Sequence, residues 1–66
     1  PLRYKVVLLN DDQTPVEWVI RVLADIFKHT NETAEKITLT IHTEGSGIAG
    51  MATLMTLDKY GIKTTI

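Results

Sequence analysis

A short apolar run that ends abruptly in a polar turn and a proline is the feature that most constrains the fold. Residues 4–9 read Tyr-Lys-Val-Val-Leu-Leu, which predicts a buried strand. Residues 10–13, Asn-Asp-Asp-Gln, favour turns and interrupt the strand. Thr14 can cap a following helix, Pro15 suits its first position, and Glu17 can complete a capping box. The segment therefore predicts a strand, a polar turn and a helix in direct succession.

Two helices are predicted after this turn. The first presents one apolar face through about Lys28, because apolar side chains recur there at helical spacing. These side chains are Val16, Val19, Val22, Leu23, Ile26 and Phe27. The second begins at Thr30 or Asn31, each a good cap, and ends at Gly45, a residue typical of left-handed helix termini. Its inner face is marked by Ala34, Ile37 and Ile41.

The last third of the chain predicts three further elements. A second strand starts in residues 47–50, a third helix runs from Met51 to Gly61, and a last strand covers residues 62–66. The resulting order is β-α-α-β-α-β. The fold class is therefore α+β, with a small antiparallel sheet packed on helices in a single domain over residues 1–66.

The second strand and the third helix adjoin unusually closely at Gly50 and Met51. A strand normally runs about 5 residues and a connection about 4 more, and no turn or good cap separates these two elements. We therefore expect that a segment is absent between about residues 50 and 51. An intact mass near 7.4 kDa for the purified protein would contradict this expectation.

Composition excludes several classes of protein. A chain of 66 residues is one small domain, which buries only about 60% of the surface of its unfolded form. It has no cysteine for a disulfide or thiolate metal site, and its net charge of −1 provides no clustered basic face for nucleic acid or membrane surfaces. No apolar run approaches the roughly 20 residues of a membrane span, and no signal-peptide pattern is present. These features favour a cytoplasmic protein.

The motifs in residues 4–19, together with residues 41–45, Ile-His-Thr-Glu-Gly, resemble the ClpS adaptor family. That family shows a strand, then Asn-Asp-Asp-aromatic-Thr-Pro-Met-Glu-Phe-Val, then a second helix ending in Val-His-x-x-Gly. The match covers residues 4–50 in order and spacing. The implied fold is an α+β sandwich, which the C-terminal domain of the ribosomal stalk protein also resembles.

The resemblance implies an adaptor for N-terminal degradation signals and neither an enzyme nor a cofactor protein. Members of the family hold proteins whose first residue is Leu, Phe, Tyr or Trp. They pass these proteins to a ClpA- or ClpC-type AAA+ unfoldase coupled to the ClpP peptidase. A monomer is also expected. The family's flexible N-terminal arm, which hands over the substrate, is not expected in this chain. The residues that dock the unfoldase would fall largely in the segment expected to be absent, so no docking residues are predicted.

The resemblance also implies roles for individual residues. A free α-amino group is a cation with three donors, and its recognition needs converging acceptors, at least one of them negative. Asn10, Asp11 and His42 would hold the amino group, and Asp12 and Thr14 would lie at the rim beside the first peptide unit. The first side chain would enter a pocket walled by Val16, Val19, Val22, Thr38 and Ile41.

Three departures from the family pattern bear on specificity. Gln13 replaces a usual aromatic residue, Val16 a usual Met, and Thr38 a usual large apolar residue. Thr38 widens the pocket and adds a hydroxyl group. We therefore expect a preference for Tyr or Trp over Leu as the first residue of the substrate.

Other interpretations of the same residues stay open. Residues 10–12 could merely end a strand, His42 could interact with the helix dipole, and the apolar positions could be ordinary core. Trp18 carries no usable signal, and His29 is interpreted as a solvated residue at a helix end. A stalk-type interaction domain would have no use for the polar cluster. An enzyme or metal site built from Asp11, Asp12 and His42 is disfavoured, because no nucleophile motif or phosphate loop accompanies them.

Overall fold

The computed structural model describes residues 2–63 of the chain. Five elements follow one another in this range: β1 (Tyr4–Leu9), α1 (Val16–Asp25), α2 (Asn31–Glu44), β2 (Ser46–Ala52) and α3 (Leu54–Lys59). Their order and the α+β class confirm the prediction from sequence. The last strand is predicted over residues 62–66. Residues 62 and 63 do not form a strand, and residues 64–66 lie outside the described residues.

The two strands form an antiparallel pair with one irregularity. Val6 pairs with Gly50 and Val7 with Ile48, so Ala49 is the extra residue of a β-bulge in β2. Val6 and Ala49 are buried against the helices, whereas Val7 and Ile48 are exposed on the opposite face. Alternating side chains along each strand therefore separate a core face from an outer face.

The core lies between the sheet and the helices. α1 contributes Leu23 and α2 contributes Ala34, both without exposed surface, and α3 contributes Leu57. Ile37 is half-buried and packs against this cluster, as the predicted inner face of the second helix requires. None of the helices within residues 2–63 is long and apolar enough to cross a membrane.

The start of α1 differs from the prediction. Pro15 occupies the N-cap position. Among the residues that the structure describes, no side chain caps this helix, and Glu17 completes no capping box. Thr14 instead donates its hydroxyl hydrogen to the Asp11 carboxylate at 3.1 Å. A hydrogen bond to a charged acceptor is stronger than one to a neutral partner, and this bond holds Thr14 in the turn.

The ends of α2 confirm the prediction. The Thr30 hydroxyl accepts a hydrogen bond from the Thr33 backbone N–H at 3.2 Å, which is the geometry of an N-cap. Gly45 takes a left-handed conformation with φ of 87° at the C-cap, and its N–H donates to the Ile41 carbonyl at 3.0 Å.

The junction between β2 and α3 corrects the predicted helix start. Met51 still belongs to β2, where it pairs with Lys5, and α3 begins only at Leu54. The expectation that no cap separates these elements is wrong, because the Thr53 hydroxyl accepts from the Thr56 N–H at 3.2 Å. Thr53 therefore both follows the last residue of β2 and caps α3. A segment absent between residues 50 and 51 stays a prediction.

The connection from α1 to α2 packs against the bulge in β2. α1 ends at Asp25 rather than near Lys28, because Lys28 takes a left-handed conformation with φ of 59°. The next residue, His29, donates its Nε2 hydrogen to the Ala49 carbonyl at 2.6 Å and is half-buried. Its interpretation as a solvated residue is therefore wrong.

Candidate functional site

A cavity of about 910 Å³ extends along β1 and the turn that follows it. It is bounded by the beginning of α1, the second half of α2, and the α3 segment. Nine of the ten predicted site residues line it: Asn10, Asp11, Asp12, Thr14, Val16, Val19, Thr38, Ile41 and His42. The structure thus brings together residues that lie more than thirty positions apart in the chain.

A backbone hydrogen bond brings the two halves of the polar cluster together. The Asn10 N–H donates to the carbonyl of Gly45 at 2.9 Å, which ties the end of β1 to the end of α2. His42 lies in the last turn of α2, three residues before Gly45. Both polar side chains are exposed, and both line the same cavity.

The Asp11 carboxylate is oriented by its own turn. Oδ1 accepts the Gln13 backbone N–H at 2.9 Å, and Oδ2 accepts the Thr14 hydroxyl at 3.1 Å. An ionised carboxylate has about four acceptor positions, so about two remain for a ligand. The negative group is therefore fixed in place without its acceptor capacity being used up.

The wall from α2 is formed by Thr38, Ile41 and His42, which share one face because they are spaced three and four residues apart. Ile41 is buried, Thr38 is half-buried and His42 is exposed, so the face becomes more polar towards the end of the helix. The Thr38 hydroxyl donates to the Ala34 carbonyl at 2.7 Å. Its hydrogen is therefore engaged, and its oxygen retains the capacity to accept a hydrogen bond from another donor.

The wall from α1 is less complete than predicted. Val16 is 58% exposed and Val19 is half-buried, and both line the cavity. Val22 does not line it, since it lies in the core with 2% of its surface exposed. Val16 thus offers apolar surface that a ligand could cover.

Other lining residues had no recognised role in the sequence. Trp18 lines the cavity with 39% of its surface exposed, and it is the chain's only tryptophan. It lies off the centre of the apolar stripe, which is why periodicity does not select it. Lys5 and Lys63 also line the cavity, and only the folded arrangement brings them to it.

The chemistry available at this site is recognition of a cation by acceptors. The Asn10 amide oxygen, the Asp11 carboxylate and an unprotonated His42 nitrogen can each accept a hydrogen bond. Residues 2–63 contain no group of three or more His, Cys, Asp or Glu side chains placed to hold a metal ion. The metal-site alternative therefore gains no support from the geometry.

Comparison with known proteins agrees with the motifs. The family model described as "ATP-dependent Clp protease adaptor protein ClpS" matches residues 1–63. The proteins named "ATP-dependent Clp protease adapter protein ClpS" of Cupriavidus metallidurans and Ralstonia pickettii are 53% and 51% identical over 53 residues. Each alignment covers 80% of this chain and 49% of the relative. The protein of the same name of Burkholderia cenocepacia is 53% identical over 53 residues, which is 80% of this chain and 51% of that relative.

The chain thus spans about half the length of the curated relatives it matches. The resemblance drawn from the sequence motifs is confirmed. The matched description is that of an adaptor, in agreement with the prediction of a binding module rather than an enzyme.

Proposed function

We propose that this chain, which belongs to the ClpS family of ATP-dependent Clp protease adaptors, binds the free N-terminal residue of other proteins where that residue is bulky and apolar. Its substrates would be delivered in the cytoplasm to a ClpA- or ClpC-type AAA+ unfoldase that works with ClpP. The observation that carries the proposal is the meeting of Asn10, Asp11 and His42 in one cavity with apolar walls.

The polar cluster suits an α-amino group. A free N-terminus is an ammonium ion with hydrogens to donate, and Asp11 supplies both a negative charge and acceptor positions that its own turn leaves open. Hydrogen bonds that involve a charged group contribute about 1.5–3 kcal/mol each. Because the turn already holds Asp11 in place, little further ordering is required when a ligand binds.

The apolar walls suit the first side chain. Val16, Val19 and Ile41 line the cavity together with Thr38, and burial of a Leu or Phe side chain contributes about 1.5–3 kcal/mol. Association costs reduce the sum, and a dissociation constant on the order of 1 μM is expected.

Thr38 supports a preference among first residues. Its hydroxyl hydrogen is bonded to the Ala34 carbonyl, so its oxygen is an acceptor beside the pocket. Tyr and Trp side chains each carry a donor that could reach such an oxygen, whereas Leu carries none. Tyr- and Trp-initiated peptides are therefore expected to bind more tightly than Leu-initiated peptides. Equal affinity for all three would refute this preference.

The experiment that tests the proposal compares three short fluorescent peptides. One begins with Phe, one is the same peptide with an acetylated N-terminus, and one begins with Ser. Acetylation removes the positive charge and two donors, so Asp11 would face an unpaired carbonyl. Micromolar binding of the free Phe peptide alone is expected, measured by anisotropy and, with unlabelled peptides, by the fluorescence of Trp18 at the cavity. If all three peptides bind alike or none binds, the alternative of a stalk-type interaction domain takes precedence.

A further inference from the structure

We propose that the same cavity also selects its substrates by charge, favouring extended peptides with acidic side chains about four to five residues after the free N-terminus. This inference rests on the proposed function and adds a substrate class to it. It is carried by the uneven distribution of charged side chains around the cavity.

The two signs of charge occupy different parts of the cavity lining. The acidic lining residues, Asp11 and Asp12, lie in the turn after β1. The basic ones, Lys5 and Lys63, lie near the beginning of β1 and after α3. Within residues 2–63 the one ion pair joins Lys36 to Glu32. No acidic side chain of the described residues therefore pairs with either lysine of the cavity.

The geometry of β1 sets the separation of the charges. A strand rises about 3.3 Å per residue, so Lys5 lies roughly 17 Å along β1 from Asn10. α3 begins at the same end of the sheet, because Ala52 pairs with Tyr4 and Thr53 caps the helix. The Ile62 N–H donates to the Leu57 carbonyl at 2.9 Å, which keeps Lys63 beside α3.

An extended peptide matches this spacing. Its α-amino group would lie at the acidic end, and its chain would advance by about 3.3 Å per residue along the cavity. Its fifth and sixth residues would then lie near Lys5 and Lys63. Acidic side chains at those positions would meet positive charge, whereas acidic side chains at positions two and three would meet Asp11 and Asp12. A wholly anionic polymer would be repelled at one end, which favours a peptide as the occupant.

The expected effect is modest because both lysines are exposed. Exposed ion pairs change an affinity by at most about five-fold each, and salt screens them. The effect should therefore be largest at low ionic strength. It should disappear at about 1 M salt, where the Debye length is about 3 Å.

The test uses peptides that begin with Phe and differ only in two residues. Glutamates at positions five and six are compared with glutamines there and with glutamates at positions two and three. At about 0.1 M salt, the peptide with the distal glutamates should bind about two- to five-fold more tightly than the glutamine peptide. The peptide with the proximal glutamates should bind more weakly than the glutamine peptide.

Two double variants assign the effect to the cavity. Lys5→Gln with Lys63→Gln should abolish the preference for distal glutamates. Lys36→Gln with Lys59→Gln removes the same charge from positions that do not line the cavity and should leave the preference intact. A preference that survives in the first variant, or is lost in both, would overturn the inference.

The acetylated peptide separates the two proposals. If the free Phe peptides bind, their acetylated twins do not, and glutamate and glutamine peptides are equal, the proposed function stands and charge selection is refuted. If no peptide binds at any salt concentration, both proposals fail together.

Discussion

The two ends of α1 are built in opposite ways. At its beginning, Asp11 and Thr14 bond within their own turn, and Val16 is 58% exposed beside an open cavity. Beyond its end, Phe27 packs against Gly50, and His29 bonds to the buried bulge of β2. The beginning of α1, here called the open end, keeps hydrogen-bond acceptors and apolar surface available to a ligand. Beyond the other end of α1, here called the closed end, Phe27 and His29 make their contacts within the protein.

This comparison separates binding from stability. Groups that a ligand would satisfy contribute little to the folded state alone, whereas a close-packed contact contributes its full effect without a ligand. Substitutions at the closed end should therefore change the free energy of unfolding. Substitutions at the open end should change affinity for peptides and leave that free energy nearly unchanged.

The largest effect is expected at Gly50. Its φ is 147°, and a Cβ atom there would lie 2.8 Å from Cδ1 of Phe27. Gly50→Ala combines backbone strain with overpacking, and together these should destabilise the fold by about 2–5 kcal/mol. Urea denaturation followed by circular dichroism would measure the loss.

Gly45→Ala is the matched control for Gly50. Its φ is 87°, but no atom of residues 2–63 lies within 4 Å of the added Cβ, so this variant measures backbone strain without a steric clash. Gly45→Ala should therefore cost about 1–2 kcal/mol, less than Gly50→Ala. Equal losses would mean that the contact with Phe27 does not hold the closed end together.

The next effect is expected at the open end, at Asp11. Asp11→Asn keeps an acceptor for the Gln13 N–H but removes the negative charge that would face the ammonium group. Loss of one charge-assisted hydrogen bond should weaken binding of a free Phe peptide by about 10-fold or more. The urea midpoint should change little, because Asp11 is exposed.

Glu35→Gln provides the control for this change of charge. It removes one negative charge from an exposed position of α2 that does not line the cavity. Peptide affinity should match that of the parent protein. Equal weakening by both variants would show that net charge, rather than Asp11 itself, determines the affinity.

A smaller effect is expected at His29. Ala49 is the unpaired residue of the bulge and is 1% exposed. Its carbonyl accepts a hydrogen bond from His29 Nε2. His29→Ala leaves this buried acceptor without its donor, at a cost of about 1–2 kcal/mol. His29→Gln retains a donor and should recover part of the loss in the same urea titration. If His29→Ala weakened the binding free energy of the peptide by more than it lowered the free energy of unfolding, the closed end would also affect binding, contrary to this comparison.

The same two ends show what the sequence can predict. The Thr30 cap and the left-handed Gly45 depend on neighbouring residues, and both are predicted correctly. The polar cluster of Asn10, Asp11 and His42 is found through its motif, and the structure places these residues around one cavity. Local signals and a motif are therefore sufficient to predict β1, α2 and nine of the residues that line the cavity, whose role in binding stays a prediction.

The remaining features depend on contacts between distant residues. The role of His29 follows from the bulge at Ala49, and that bulge follows from how two strands pair across more than forty positions. Trp18 reaches the cavity only because α1 packs as it does. Thr14 fits the pattern of a helix cap, but the Asp11 carboxylate competes for it. Periodicity and propensity contain no information on such pairings.

The smallest effect is expected at Lys28, where the closed end carries strain. Its φ of 59° is left-handed, a conformation that costs residues other than glycine about 1–2 kcal/mol. Glycine adopts it freely but loses more chain entropy on folding, so Lys28→Gly should stabilise the fold by about 0.5–1 kcal/mol. Lys28→Ala removes the same charge without relieving the strain and should bring no gain. If the two variants have the same melting temperature, the turn relaxes when its side chain is removed. If Lys28→Gly alone melts higher with unchanged peptide affinity, stability at the closed end varies independently of binding at the open end.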